Sequence, residues 1–317
     1  MTRLPAMGEV AEDSRAHDGD EVLYSVTALL AVIDKPALMH WAVYETARRV
    51  VPRLHIVGAR LDNEGTDSAI DYVANLRWQT DGRLTDSQLG TLAHHLFNVW
   101  ALSGVRPDVH PELHPGHGKD GAVLHDDDLR DLRRMLDQFD RFLQEFAPAY
   151  EATEVVVYHP RYRYAGQADG FARIADARLI FDYKTSRKTW DRRGRERGPY
   201  AETGLQLAAY RYAQMAAVWR ARRYHARSRR YYLLSADEQK VALPVPEVDG
   251  GVAIHVTPEH CKVHPMRCGP DMFEAFLHVL EVARWRINVA DSVVGDPMEP
   301  PHPLPEDTSD PFVGLPT

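Results

Sequence analysis

Apolar residues along this chain change their spacing near residue 150. Before that point they recur every three or four positions, the period of a helix with one buried face; after it they alternate, the period of a strand. In "SQLGTLAHHLFNVWAL" the stripe Leu89, Leu92, Ala93, Leu96, Val99 and Trp100 predicts a helix over 87–102. In "DDDLRDLRRMLDQFDRFLQEF" Leu129, Leu132, Leu136, Phe139, Leu143 and Phe146 predict another, with Asp126 as its cap. Nearer the start, Ser25 can cap a helix through Val32. Asp34 and Pro36 then mark a restart into "ALMHWAVYETARRVV".

From Glu154 onward, "EVVVYH", "AGQADGFARI" and "ARLIFDYKT" read as strands. "TGLQLAAYRYAQMAAVWRA" predicts one long helix, "RYYLLS" a buried strand, "GGVAIHVTP" and "HCKVHPM" a hairpin, and 271–290 a closing helix. The order of helices, three strands, a helix, further strands and a last helix predicts an α/β fold with a mixed central sheet flanked by helices and an N-terminal helical region. Residues 1–22 read as a disordered acidic segment, 23–293 as one domain (helical 23–150, sheet core 151–293), and 294–317 as a Pro-rich flexible tail.

Composition narrows the class. With 317 residues, 44% hydrophobic and 26% charged, the chain can bury a sizeable core. The net charge of −8 argues against a generally basic coat but leaves room for a local basic groove. Two cysteines are too few for a disulfide scaffold or a four-cysteine iron–sulfur cluster. No apolar run reaches bilayer length, and the first twenty residues lack a signal core, so the expectation is a soluble cytoplasmic protein.

The chemistry concentrates in "YAGQADGFARIADARLIFDYKTSRKTW", 164–190. Alternation places Asp182 and Lys184 on one face with Ile180, and Phe181 and Tyr183 on the other. A turn near Ala175-Asp176 places Asp169 opposite Asp182. Two facing carboxylates repel unless a cation joins them, and hard divalent ions such as Mg²⁺ or Mn²⁺ favour such oxygens. Spacing alone fits an ion pair at a sheet edge equally well.

Three motifs in order then matter. "ADG…IFDYKT" resembles the signature of the PD-(D/E)xK nuclease superfamily. "GTLAH" (90–94) before it and "QLAAY" (206–210) after it are similar to the G-T-x-x-H and Q-x-x-x-Y motifs of the RecB-like branch, which includes CRISPR-associated and phage exonucleases. The resemblance implies a restriction-endonuclease-like fold and a metal-dependent DNA exonuclease that leaves 5′-phosphates. It implies that His94, Asp169, Asp182 and the Tyr183 carbonyl hold Mg²⁺ or Mn²⁺, that Lys184 acts on the attacking water, and that Gln206 and Tyr210 fix Lys184 or the phosphate. His95 is the alternative imidazole. Asn98 stands where the branch often has glutamate, and the four cluster cysteines are missing, so the likeness is to cluster-free phage-type members. DNA ends are the implied partner, with a single-strand annealing protein or a helicase as further partners by analogy. A structure-specific endonuclease, a catalytically silent binding protein of the same fold, and a hydrolase of small phosphate esters are the alternatives.

Other polar groups are weighed beside these. Arg187, Lys188, Trp190, Arg192 and Arg193 leave the proposed site directly and suit phosphate contact and base stacking. A second cluster, Arg220 to Arg230, reads as either a solvated run or a DNA contact. Glu154, at the start of its strand, reads as a secondary acid near the metal or, preferably, as an exposed strand-end charge, and the histidines of 110–125 read as part of a polar loop. His260, Cys261, His264 and Cys268 match no standard zinc spacing.

Overall fold

The structure is a computed structural model that describes residues 23–33, 36–76, 82–113, 124–191, 193–218, 222–225, 230–233 and 241–298. Its centre is a mixed eight-stranded sheet. Strands β2 (Ala149–His159), β3 (Tyr164–Ile174) and β4 (Ala177–Thr185) form an antiparallel meander. The turn is Ala175-Asp176, with Ile174 paired to Ala177 and Ala175 at φ 52°. On one side β9 (Gly250–Val256) runs parallel to β4, and β10 (Cys261–Met266) pairs antiparallel with β9. On the other, β5 (Met215–Val218) pairs with β2 and β8 (Val241–Pro244) with β5. The short β1 (Tyr24–Ser25) adds in parallel to the start of β3. A separate hairpin, β6 (Arg222–His225) and β7 (Arg230–Leu233), carries part of the second arginine cluster.

Helices cover both faces. On one, α1 (Val26–Leu30), α7 (Glu202–Arg211) and α8 (Pro270–Asn288) pack on Val155, Val157, Ala168, Phe171 and Ile180. On the other, α5 (Asp86–Ser103) and α6 (Asp126–Phe146) pack on Ala172, Phe181, Tyr183, Val252, Ile254 and Val256. The period-two reading of β4 therefore holds, with Ile180 in one core and Phe181 and Tyr183 in the other. Ahead of α5 lie α2 (Pro36–Val50), α3 (Leu54–Glu64) and α4 (Thr66–Asn75), the last two outside the sequence expectation. Among the described residues no helix is long and apolar enough to cross a membrane.

Boundaries that differ from expectation do so for physical reasons. The helix from Thr203 stops at Arg211, and Met215–Val218 is a strand, because the exposed edge of β2 offers ladder partners that override helix propensity. Helix α5 starts one residue earlier than expected, through a capping box between Thr85 and Gln88. His125, not Asp126, caps α6, its ring accepting from the Asp127 amide.

Arg187, expected as a DNA contact, has a structural role in the fold. Its Nε meets Asp86 at 3.0 Å, its Nη1 meets Asp128 at 2.7 Å and Asp131 at 2.9 Å, and its Nη2 donates to the Leu84 carbonyl at 2.7 Å. Asp128 is fully buried and also accepts from the Leu84 amide. The guanidinium thus ties the segment after β4 to the starts of α5 and α6, with four of its five N–H donors engaged by these partners. Arg187→Ala leaves Asp128 charged and buried without its partner, so it should destabilise the fold by about 3–5 kcal/mol in urea denaturation. Exposed Lys188→Ala should change stability by no more than about 0.5 kcal/mol. Coincident transitions for Arg187→Ala and the parent would remove this structural role.

Candidate active site

The site forms where β3 and β4 part. Their ladder ends at Gly170 opposite Phe181, and the same register carried one step further sets Asp169 across from Asp182. The carboxylate of Asp169, rather than its backbone, meets the next strand. Its Oδ2 accepts from the Tyr183 amide at 2.5 Å. In an extended strand the N–H and C=O of one residue point to the same edge, so the Tyr183 carbonyl also faces the gap. Gly170, the last paired residue, lets the Phe181 ring and the β2 backbone lie against it, since an added Cβ would lie 2.2 Å from the Ala152 carbonyl oxygen and 2.6 Å from the Phe181 ring.

Asp182 and Lys184 leave β4 on the α7 side. Lys184 Nζ lies 2.6 Å from Asp182 Oδ2 and donates to Gln206 Oε1 at 3.1 Å. Gln206 Nε2 donates to Asp182 Oδ1 at 3.0 Å and to the Tyr210 hydroxyl at 3.2 Å. Residues four apart on α7 share one face, which lets Gln206 and Tyr210 act together. Gly166 makes room for Tyr210, whose Cε1 would lie 2.5 Å from an added Cβ.

From the opposite layer, α5 brings His94. Its Nδ1 lies 3.7 Å from Asp169 Oδ2, and its ring meets Tyr183 edge-on at 5.7 Å. Gly90, one turn earlier, faces the end of β4, where an added Cβ would lie 2.8 Å from Thr185 Oγ1. That close approach sets the depth of His94. His95, the next residue along the helix, is exposed.

Burial governs the electrostatics. It pushes the Asp169 carboxyl up to about 6, against the Tyr183 amide and Lys184. Burial and then the neighbouring Asp169 push Asp182 up to about 6, against Lys184. Burial holds His94 down at about 4, so its imidazole is neutral at pH 7 and able to ligate. Two crowded carboxylates, a neutral imidazole and an inward backbone carbonyl form a donor set suited to Mg²⁺ or Mn²⁺. Among the described residues no three His, Cys, Asp or Glu side chains already meet as a formed cage. The fit therefore rests on donor chemistry and on the acids' mutual repulsion.

Glu154 belongs with this group. It lies mid-strand in β2, and the register of Thr153 with Gly170 and Val155 with Ala168 puts it opposite Asp169. Its Oε1 accepts from Asn98 Nδ2 at 2.9 Å. Reading it as a strand-end charge failed because β2 begins five residues before it, at Ala149. The available signal was Asn98, four residues after His94 and on the same helix face.

The remaining candidates separate. Lys188, Trp190 and Arg193 are exposed on a folded loop in which Asp191 and Arg195 pair, while Arg192 lies outside the described residues. Cys261 packs against the α5–α6 core and Cys268 is buried in the opposite one, so the four residues of the zinc spacing do not converge. His255, His260 and His264 do gather, with ring centroids 5.8 and 6.2 Å from His255, beside Glu196.

No family model matches this chain, and no curated protein matches it. Fifteen chains of solved structures match, among them one described as "Crystal structure of SSO0001". It is 14% identical over 52% of this chain and 63% of that chain, less than two thirds of its length, with a TM-score of 0.27. A likeness this loose establishes neither a family nor a fold.

The raised acids make a stability prediction. Folded Asp182 binds its proton more tightly than the unfolded residue, so it favours the fold below about pH 4. That contribution is lost as pH rises through about 6. Without added metal, Asp182→Asn should therefore be more stable than the parent at pH 7 by about 1–3 kcal/mol. The difference should close below about pH 4. Urea denaturation in a chelator at both pH values checks this, and equal midpoints at pH 7 would show that Lys184 fully offsets the burial.

Proposed function

We propose that this chain is a metal-dependent DNA nuclease of the RecB-like PD-(D/E)xK type, with a restriction-endonuclease-like core, acting on DNA ends as an exonuclease. The observation that carries the reading is the bonded set Asp182, Lys184, Gln206 and Tyr210, beside which the Asp169 carboxylate takes the Tyr183 amide where β3 and β4 part. Three motifs spread over 120 residues of sequence supply these groups together with His94.

Asp169, Asp182, His94 and the Tyr183 carbonyl are the groups that would hold Mg²⁺ or Mn²⁺. A bound ion supplies Lewis-acid polarisation of the phosphoryl group and a water of lowered pKa. Lys184 directs an ammonium hydrogen to the attacking water or to a non-bridging oxygen, where charge grows in the transition state. Water adds to phosphorus and gives up a proton to solvent, the bond to the 3′ oxygen breaks, and that oxygen takes a proton from solvent, leaving a 3′-hydroxyl and a 5′-phosphate. Gln206 holds Lys184 through its carbonyl and Asp182 through its amide, and Tyr210 holds Gln206. Exposed Trp190, Lys188 and Arg193 suit stacking and phosphate contact along a departing strand. A helicase or a single-strand annealing protein is the partner class that the same reading suggests.

End-labelled linear, nicked and circular DNA incubated with Mg²⁺, Mn²⁺ or chelator tests this. Linear DNA should be degraded only with metal, to 5′-phosphate products, while closed circles persist. Asp182→Ala and Lys184→Ala should lose about 10²–10⁴-fold in rate, and Gln206→Ala about 10–100-fold. Parent protein inert on all three DNAs with both ions, or Asp182→Ala as active as the parent, sinks the proposal. Cutting of closed circles would reassign it to the endonucleases.

A further inference from the structure

We propose that Glu154 is a positioning residue of this centre, retained for function at a backbone position that favours glycine: through Asn98 it sets the turn of α5 that carries His94. The inference rests on the nuclease reading and goes beyond it, because no motif of that reading contains Glu154.

The backbone carries the first part. Glu154 has φ 51°, in the left-handed region where a Cβ crowds the following carbonyl. The other three non-glycine residues with positive φ among those described sit where chains turn. Ala147 ends α6, Arg163 lies in the β2–β3 turn, and Ala175 lies in the β3–β4 turn. Glu154 alone lies inside a strand. Glycine would take this conformation without a steric penalty, and asparagine with a smaller one. A glutamate there is explained by what its side chain does.

The side chain carries the second part. Asn98 is 4% exposed, and its amide donates to Glu154 Oε1 at 2.9 Å. Asn98 and His94 are four apart on α5, so the contact that fixes one orients the other. Gly90 sets how deep α5 sits, and the Asn98–Glu154 bond sets its rotation. Glu154 also faces Asp169 across the β2–β3 register. The imidazole is thus held toward Asp169 from two sides, much as outer partners orient metal-ligating histidines elsewhere.

Mn²⁺ titration by calorimetry, with rates of DNA digestion at limiting and saturating Mn²⁺, tests this on Glu154→Gly and Glu154→Gln. Glu154→Gly relieves the left-handed backbone but leaves the Asn98 amide unpartnered, so it should melt close to the parent yet bind Mn²⁺ about 10–100-fold more weakly, with most of the digestion rate recovered at saturating Mn²⁺. Glu154→Gln keeps an acceptor for Asn98 and should stay within about threefold of the parent affinity, the change expected when positioning depends on the hydrogen bond. Parent-like Mn²⁺ binding by Glu154→Gly overturns the proposal. Equal weakening of both variants also overturns it, by showing that the charge and not the anchorage matters. A parent protein that binds no Mn²⁺ removes the nuclease reading and this proposal together, whereas a binding parent with an unaffected Glu154→Gly removes this proposal alone.

Discussion

The parting of β3 and β4 after Gly170 is the constraint on which the rest depends. A continuing ladder would pair the Tyr183 amide with a backbone carbonyl and bury its own carbonyl in the sheet. Instead a carboxylate takes that amide, and the sheet opens at the point where Asp182 and Lys184 emerge. One side-chain-to-backbone bond therefore keeps a backbone oxygen and two acids facing one gap. Such a gap is unfavourable for an apoprotein, because buried polar groups need partners. The closed chain through Lys184, Gln206 and Tyr210 meets part of that need.

Each face of the sheet brings a different part of the site. The α7 layer supplies Gln206 and Tyr210, and the α5 layer supplies His94. Small residues govern how close these layers come: Gly166 under Tyr210, Gly90 against Thr185, and Gly170 beneath Phe181. Arg187, three residues beyond Lys184, fastens β4's exit to the start of α5. The relative placement of His94 and Lys184 thus depends on an ion network that touches neither.

Much of this was legible in the sequence where a periodic pattern met a fixed spacing. Alternation in "ARLIFDYKT" and a turn at Ala175-Asp176 were enough to place Asp169 opposite Asp182. Four-residue spacing was enough to pair Gln206 with Tyr210. What stayed hidden depends on partners distant in sequence. Arg187 looks like any exposed arginine until Asp86, Asp128 and Asp131 are seen around it. Glu154 looks terminal until β2 is known to begin at Ala149. The strand at Met215–Val218 reads as helix because alanine-rich local preference yields to an open sheet edge.

Gln206 has a consequence of its own. Its two ends are chemically unlike: the oxygen only accepts and the nitrogen only donates. Seated between an ammonium on one end and a carboxylate and a phenol on the other, it fits one arrangement of charge and resists the reverse. Glutamate could not donate to Asp182, and asparagine would not span the same reach. The side chain thus acts as a polarity key for the centre. Lys184 charged and Asp182 ionised is the state in which every one of its atoms is matched, before any ligand arrives.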